Sequence, residues 1–186
     1  MVKTLRLLDV GLDAHLRKDL ERLAQMSAES QELLQPITKW DKLGKSSDRV
    51  YILIQDGALT GYIRIGIRQL YLTPDPCAVA LKSFTVLCLL DFFVENQRQG
   101  NGKFLFNHCL NSENRTAQSV AYDRPSPKLV QFLSTHFNIS DLVHQPNNFA
   151  ISEQFFTLYL LVLTEENFLP HFTLDDFGYL VTCVIE

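Results

Sequence analysis

The hydrophobic pattern opens with a helix. Leu12, Leu16, Leu20 and Leu23 recur every three or four residues among charged ones, which predicts an amphipathic helix running to about Leu34 and ending before Pro36. Residues 39–49 are polar around Gly44 and read as a loop. Residues 50–54 (VYILI) form an apolar strand pattern, and Asp56-Gly57 after them is a turn signal. In residues 60–72, Ile63, Ile65 and Ile67 alternate with Arg64, Gly66 and Arg68, which predicts a strand with one apolar face and one carrying two arginines. Pro74 and Pro76 break the chain.

Residues 84–94 (FTVLCLLDFFV) are nearly all apolar, as in a strand buried on both faces. Residues 95–103 (ENQRQGNGK) then open a helix that reaches about Leu110. Residues 119–122 read as a short strand. Asp123-Arg-Pro125 leads into a helix carrying Leu129, Phe132, Leu133 and His136, with Pro125 suited to its first turn. Residues 148–156 read as a final strand. The order α, β, β, β, α, β, α, β predicts a mixed α/β sheet.

Composition narrows this little, but charge divides the chain. The 186 residues suit one domain with its own core, and the net charge of −4 gives no support for a nucleic-acid partner. All 17 Lys and Arg precede residue 157, so the first 156 residues carry +1 and the last 30 carry −5. A domain over 1–156 and an apolar, acidic extension over 157–186 are therefore expected. Cys77, Cys88, Cys109 and Cys183 contain no Cys-x-x-Cys pair, so no zinc site is expected. The N-terminus has no continuous apolar run of the secretory kind, and reduced cytoplasmic thiols are the default. The longest apolar stretches are too short to span a bilayer, so no membrane insertion is expected.

The segment with chemistry in it is Gln97-Arg98-Gln99-Gly100-Asn101-Gly102, between a buried strand and a helix. Glycines there let backbone N–H groups approach a phosphate, and the helix N-terminus adds partial positive charge. It is neither a Rossmann fingerprint nor a P-loop. Its Gln-x-x-Gly-x-Gly pattern resembles the pyrophosphate loop of GNAT-superfamily acetyltransferases. Around it, Cys88-Leu-Leu-Asp-Phe-Phe93, Asp123-Arg-Pro-Ser126, Pro146-Asn-Asn-Phe149, Gln35-Pro-Ile-Thr38 and Gly61-Tyr-Ile-Arg-Ile-Gly-Ile-Arg68 look like the α-tubulin N-acetyltransferase family over about residues 5–156. The tail after residue 156 departs from that family, whose chains continue with a polar, often basic segment.

The resemblance implies a GNAT-type α/β fold, with a central mixed, mostly antiparallel β-sheet flanked by helices. It implies acetyl-CoA as co-substrate, no metal, and a lysine on the lumenal loop of α-tubulin as acceptor. It also implies action on microtubules of the cytoplasmic cytoskeleton or of cilia, by a monomer. Asp123 matches the catalytic aspartate. A carboxylate at a strand end can accept a proton from a lysine ammonium, though the same position suits a helix N-cap. Cys88 matches the active-site cysteine, in a supporting role rather than as an acetyl carrier, and Gln31 matches a glutamine that positions.

The donor site implied by the resemblance comprises Phe92, Phe93, Val94, Gln97, Arg98, Gln99, Gly100, Asn101, Gly102 and Lys103. It continues with Ser126, Pro127, Lys128, Leu129, Gln131, Phe132 and Thr135. Backbone N–H groups near residues 88–94 would polarise the thioester carbonyl. Arg64 and Arg68 match basic positions facing the acidic tubulin surface. Two rival readings stay open: a microtubule-binding protein that keeps the fold with weak or no turnover, and a GNAT enzyme acting on another lysine.

Overall fold

The computed structural model describes residues 2–73, 82–158, 172–174 and 180–182. Its strands are β1 (Lys3–Leu7), β2 (Arg49–Gln55), β3 (Ala58–Leu72), β4 (Lys82–Val94), β5 (Ala121–Asp123), β6 (Leu142–His144) and β7 (Phe149–Ser152). Its helices are α1 (Arg17–Ser30), α2 (Trp40–Leu43), α3 (Asn101–Ser112) and α4 (Pro127–Phe137). The seven strands form one sheet in the order β1-β2-β3-β4-β5-β7-β6. Only β4 and β5 run parallel; the other neighbours are antiparallel.

Two apolar layers sandwich this sheet. On one face Leu16, just before α1, and Leu20 and Leu23 of α1 pack with Trp40, Ile52, Tyr62 and Phe93. On the other, Leu105 and Phe106 of α3 and Leu133 of α4 pack with Leu53, Ile63, Ile65 and Leu89. A third cluster (Leu70, Val86, Cys88, Leu90, Ala121, Ile151 and Phe155) closes the lower part of the sheet. Each fully buried side chain of this size contributes about 1.5–3 kcal/mol.

Two features of β4 set the geometry at the centre of the sheet. A bulge places Arg64 opposite Asp91 but Ile65 opposite Leu89, which leaves Leu90 as the extra residue. The alternation of faces therefore slips at Leu90, and Asp91 joins Phe93 on the α1 side. Further on, β5 pairs with β4 only at Cys88–Ala121 and Leu89–Tyr122, so the two strands part beyond Leu89.

Several expectations need correction. The first helix starts at Arg17 after a 3-10 turn over Ala14–Leu16 and ends at Ser30, not near Leu34. Glu32 takes a left-handed conformation (φ 57°), and Glu32 N and Leu33 N bond Glu29 O and Ala28 O. These bonds close the last turn without help from Pro36. Leu12 and Leu34 lie exposed outside it. The 39–49 loop contains α2, because Trp40 and Leu43 bury against α1's layer.

β1 and β6 lack an alternating apolar pattern and were not expected. The 148–156 strand stops at Ser152, and residues 155–158 are helical. Ile67 is half-exposed, so the isoleucine face of β3 ends at Ile65. The 157–186 extension lies largely outside the described residues, as do Cys77, Cys183 and the break at Pro74 and Pro76. Within the extension, Phe172–Leu174 and Leu180–Thr182 pair as an antiparallel two-stranded sheet.

Candidate active site

Where β4 and β5 part, a cleft of about 620 Å³ opens. Its floor is residues 89–94 of β4; its walls are the 97–103 turn with α3, the start of α4, and Ser30, Gln31 and Ile37 from the α1 side. Aromatic side chains hold these walls in place. Phe92 of β4 lies 5.7 Å from Phe106 of α3 and 5.4 Å from Phe132 of α4, ring centre to ring centre. Phe106 lies 4.8 Å from Phe137, so both helices dock on one cluster.

The 97–103 turn is built to expose backbone donors. Gly100 precedes α3 at φ 76°, a left-handed conformation that glycine adopts without steric cost. Arg98 is also left-handed, at φ 60°. The first N–H groups of twelve-residue α3 have no partner inside the helix. Asn101 does not face the cleft. Its buried side-chain amide donates to Gln55 Oε1 (3.3 Å) and Asn96 O (3.4 Å) and accepts from Lys3 Nζ (2.8 Å), which ties the turn to β2 and β1. Arg98, Lys103 and Lys128 line the cleft, the first two at the N-terminus of α3 and the third on α4. This donor set fits a pyrophosphate. Lys128 Nζ also donates to Ser30 O at 3.3 Å, linking α4 to the end of α1.

At the other end stand the groups expected to handle protons. Asp123 closes β5, its side chain 16% exposed, and both its oxygens accept from Arg124: Nε at 2.9 Å and NH2 at 3.2 Å. It does not cap the next helix. Ser126 does, its hydroxyl accepting from Leu129 N at 3.3 Å, with Pro127 rather than Pro125 in the first turn. Asp123 is thus left with its carboxylate at the cleft.

Cys88 is wholly buried in β4 below that cleft, its thiol 3.6 Å from Val86 O. Burial, helped by the carboxylates of Asp123 and Asp48 against Arg68, pushes the thiol up to about 12. A thiol so raised stays protonated at neutral pH. Gln31 follows the last residue of α1 and lines the cleft, and its Nε2 donates to Ser27 Oγ at 3.0 Å.

The chain matches the family described as "GNAT acetyltransferase, Mec-17" over residues 3–163. It belongs to that family. It is 36% identical over 146 residues to a Tetrahymena thermophila protein named "Alpha-tubulin N-acetyltransferase", covering 77% of this chain and 36% of that protein. A Plasmodium knowlesi protein of the same name is 34% identical over 143 residues, 76% of each chain. The chain spans about a third of the length of the Tetrahymena relative and of similar ones from Anopheles gambiae and Drosophila melanogaster. A solved Bacillus halodurans mutant protein shares the fold, with a TM-score of 0.51 at 10% identity over 76% of this chain and 94% of that one.

For this Mec-17-family chain the cleft gathers most of the residues singled out in the sequence. Gln31, Phe92, Phe93, Val94, Gln97, Arg98, Gly100, Gly102, Lys103 and Asp123 line it, with Ser126, Lys128, Leu129, Gln131, Phe132 and Thr135 of the α4 side. Cys88, Gln99, Asn101 and Pro127 lie beside or beneath the lining rather than in it. Arg64 and Arg68 share a strand face, but both bond buried Asp48: Arg64 NH2 at 2.6 Å, Arg68 NH2 at 2.8 Å. Burial alone would raise the Asp48 carboxyl, but the hydrogen bonds from the two guanidiniums outweigh it and hold it below the usual range.

Sequence reasoning missed Ser30, Ile37, Leu89, Leu90, Asp91, Arg124 and His136 in the lining. Asp91 left one signal, a lone carboxylate inside an apolar strand. Ile37 left none.

Proposed function

We propose that this chain is a lysine N-acetyltransferase using acetyl-CoA as donor and a lysine on the lumenal loop of α-tubulin in microtubules as acceptor. The observation that carries the reading is one cleft with a cationic turn at the N-terminus of α3 and a carboxylate, Asp123, at the end of β5. The names of the relatives support the choice of acceptor. When bound, acetyl-CoA supplies an acetyl group already activated as a thioester.

The remaining chemistry belongs to the protein. Gly100 and the start of α3, with Arg98, Lys103 and Lys128, hold the phosphates. The apolar floor of Phe92, Phe93 and Val94 excludes water. Asp123 takes a proton from the acceptor ammonium, which competes with Arg124 for the carboxylate, and leaves a neutral amine able to attack. Gln31, an amide that cannot act as a base, orients that amine. Cys88 stays a neutral packing neighbour beneath Asp123. Both substrates are bound before transfer, and the acceptor places the protein on cytoplasmic microtubules.

Transfer of labelled acetyl from acetyl-CoA to assembled microtubules tests this, with Asp123→Asn alongside. Loss of a general base lowers turnover by about 10²–10⁴-fold. Label on α-tubulin that falls by this factor supports the reading. Label that persists in Asp123→Asn keeps the transferase and moves the base elsewhere. No label from a folded, acetyl-CoA-binding protein would leave a microtubule-binding protein or another acceptor.

A further inference from the structure

Beneath the cleft lies a buried carboxylate that has no place in the proton transfer assigned to Asp123. Asp91 is 5% exposed, yet it lines the floor of the cleft. Its Oδ1 accepts from Ser27 Oγ at 3.1 Å; its Oδ2 accepts from Thr38 Oγ1 and Tyr62 OH, both at 2.7 Å. Burial and the adjacent Asp91 raise the Tyr62 phenol above its ordinary value, so it remains a donor to this carboxylate. A buried carboxylate is tolerated where such donors satisfy it.

The three donors come from three different places. Ser27 sits near the end of α1, Thr38 in the segment that follows that helix, and Tyr62 on β3. Ser27 Oγ also accepts from Gln31 Nε2, so the carboxylate reaches the cleft wall through one intermediate. Arg64 stands opposite Asp91 in the β3–β4 ladder. Its guanidinium is turned away to Asp48 and donates to Ile37 O at 3.0 Å. Residues 37 and 38 are therefore tied down twice, by charged side chains from facing rungs of two strands. Besides Asp91 itself, Ile37 and Gln31 are the parts of this assembly that line the cleft.

We propose that Asp91 is a positioning residue: through Ser27, Thr38 and Tyr62 it clamps the end of α1 and the 37–38 segment onto β4, and so sets Gln31 and Ile37 where the acceptor lysine enters. Arg64 is the second half of the clamp, acting on Ile37 through its carbonyl. The proposal rests on the transferase reading for its kinetic consequence and on the hydrogen bonds alone for its structural one. A bulge makes the arrangement possible, since without the extra residue at Leu90 the Asp91 side chain would point to the α3 side.

Asp91→Asn puts folding itself at risk, so the test uses Thr38→Val, which keeps the side-chain shape, with Thr38→Ser as the conservative rescue. Losing one hydrogen bond to a charged group should lower kcat/KM for the acceptor about tenfold, while acetyl-CoA Kd moves less than about twofold. Thr38→Ser should recover kcat/KM to within about threefold. Amide hydrogen exchange of the full chain with acetyl-CoA bound should quicken at residues 31 and 37–39 in Thr38→Val and not at α3 or α4. Parallel loss of acetyl-CoA affinity, or a Thr38→Ser variant no better than Thr38→Val, would overturn the proposal. If the unaltered chain acetylates no acceptor, the transferase reading fails while the exchange result still decides the clamp. Exchange at 37–39 unchanged by Thr38→Val overturns it, and quickened exchange there upholds it.

Discussion

Replacing Gly100 by alanine puts a defined strain into the phosphate turn. Gly100 holds φ 76°, and a Cβ built there meets no atom within 4 Å, so the substitution adds no clash. What it adds is the left-handed conformation of an L-residue, at about 1–2 kcal/mol. Alanine also restricts the unfolded chain, which returns about 0.4–1 kcal/mol. The net is about 1 kcal/mol, and it must appear in one of two places. If the turn keeps its shape without ligand, unfolding free energy falls by that amount and Tm by about 2–4 °C, with acetyl-CoA affinity unchanged. If the turn relaxes without ligand, the restricted unfolded chain raises Tm slightly and the whole strain is met on binding, which weakens acetyl-CoA about five- to thirtyfold. Calorimetric unfolding and titration calorimetry on the same variant measure both. Their sum should come to about 1 kcal/mol whichever way it divides. A sum below about 0.3 kcal/mol would refute the reasoning, because the bound turn would then not need a left-handed residue at this position.

Two further outcomes concern the frame of the site. Asp48→Ala leaves part-buried Arg64 and Arg68 without their shared carboxylate, which should cost about 3 kcal/mol in urea unfolding; a loss under about 1 kcal/mol would mean that water replaces Asp48 adequately. Burial raises the thiols of Cys88 and Cys109 from 9.0 to about 12, so the folded state binds these protons more tightly than the unfolded one. Their stabilisation is complete below pH 9 and is lost as pH rises towards 12, at up to about 1.4 kcal/mol per pH unit for each thiol. Unfolding measured between pH 9 and 10 should show this fall, to which the raised phenols of Tyr51, Tyr62 and Tyr122 add as pH nears 10, and Cys109→Ala should make its slope shallower. A flat profile, or a slope that Cys109→Ala leaves unchanged, would show that the thiols are not the groups responsible.

Much of this molecule was decided locally and so could be read along the chain. The apolar run of β4, the glycine turn after it and the leucine spacing of α1 are each fixed by neighbours a few residues away; the first two formed where expected, and the helix formed over the middle of its predicted span. The residues expected to form a donor site, within Gln97 to Lys103 and Ser126 to Thr135, lie on two short segments, and the parting of β4 and β5 brings most of them to one cleft. The helix stop after Ser30 was not legible, because Pro36 is a strong breaker on paper while the actual stop is the left-handed backbone of Glu32. β1 and β6 were not legible either. As edge strands they bury little, and their pairing with β2 and β7 supplies what their sequences do not signal.

Tertiary structure alone decided how charged groups were used. From sequence, Arg64 and Arg68 are two exposed cations on a strand; the fold brings Asp48, 16 and 20 residues away, between them. Asp123 could equally have capped a helix until Ser126 was seen to do so. The role of Asp91 depends on a one-residue bulge that turns its side chain towards Ser27 and Thr38, 64 and 53 residues away in the chain. Apolar periodicity is a local record of which side is dry. The partner of a buried charge is set by long-range packing, because desolvation obliges that charge to bond whatever donor or acceptor the fold brings within reach.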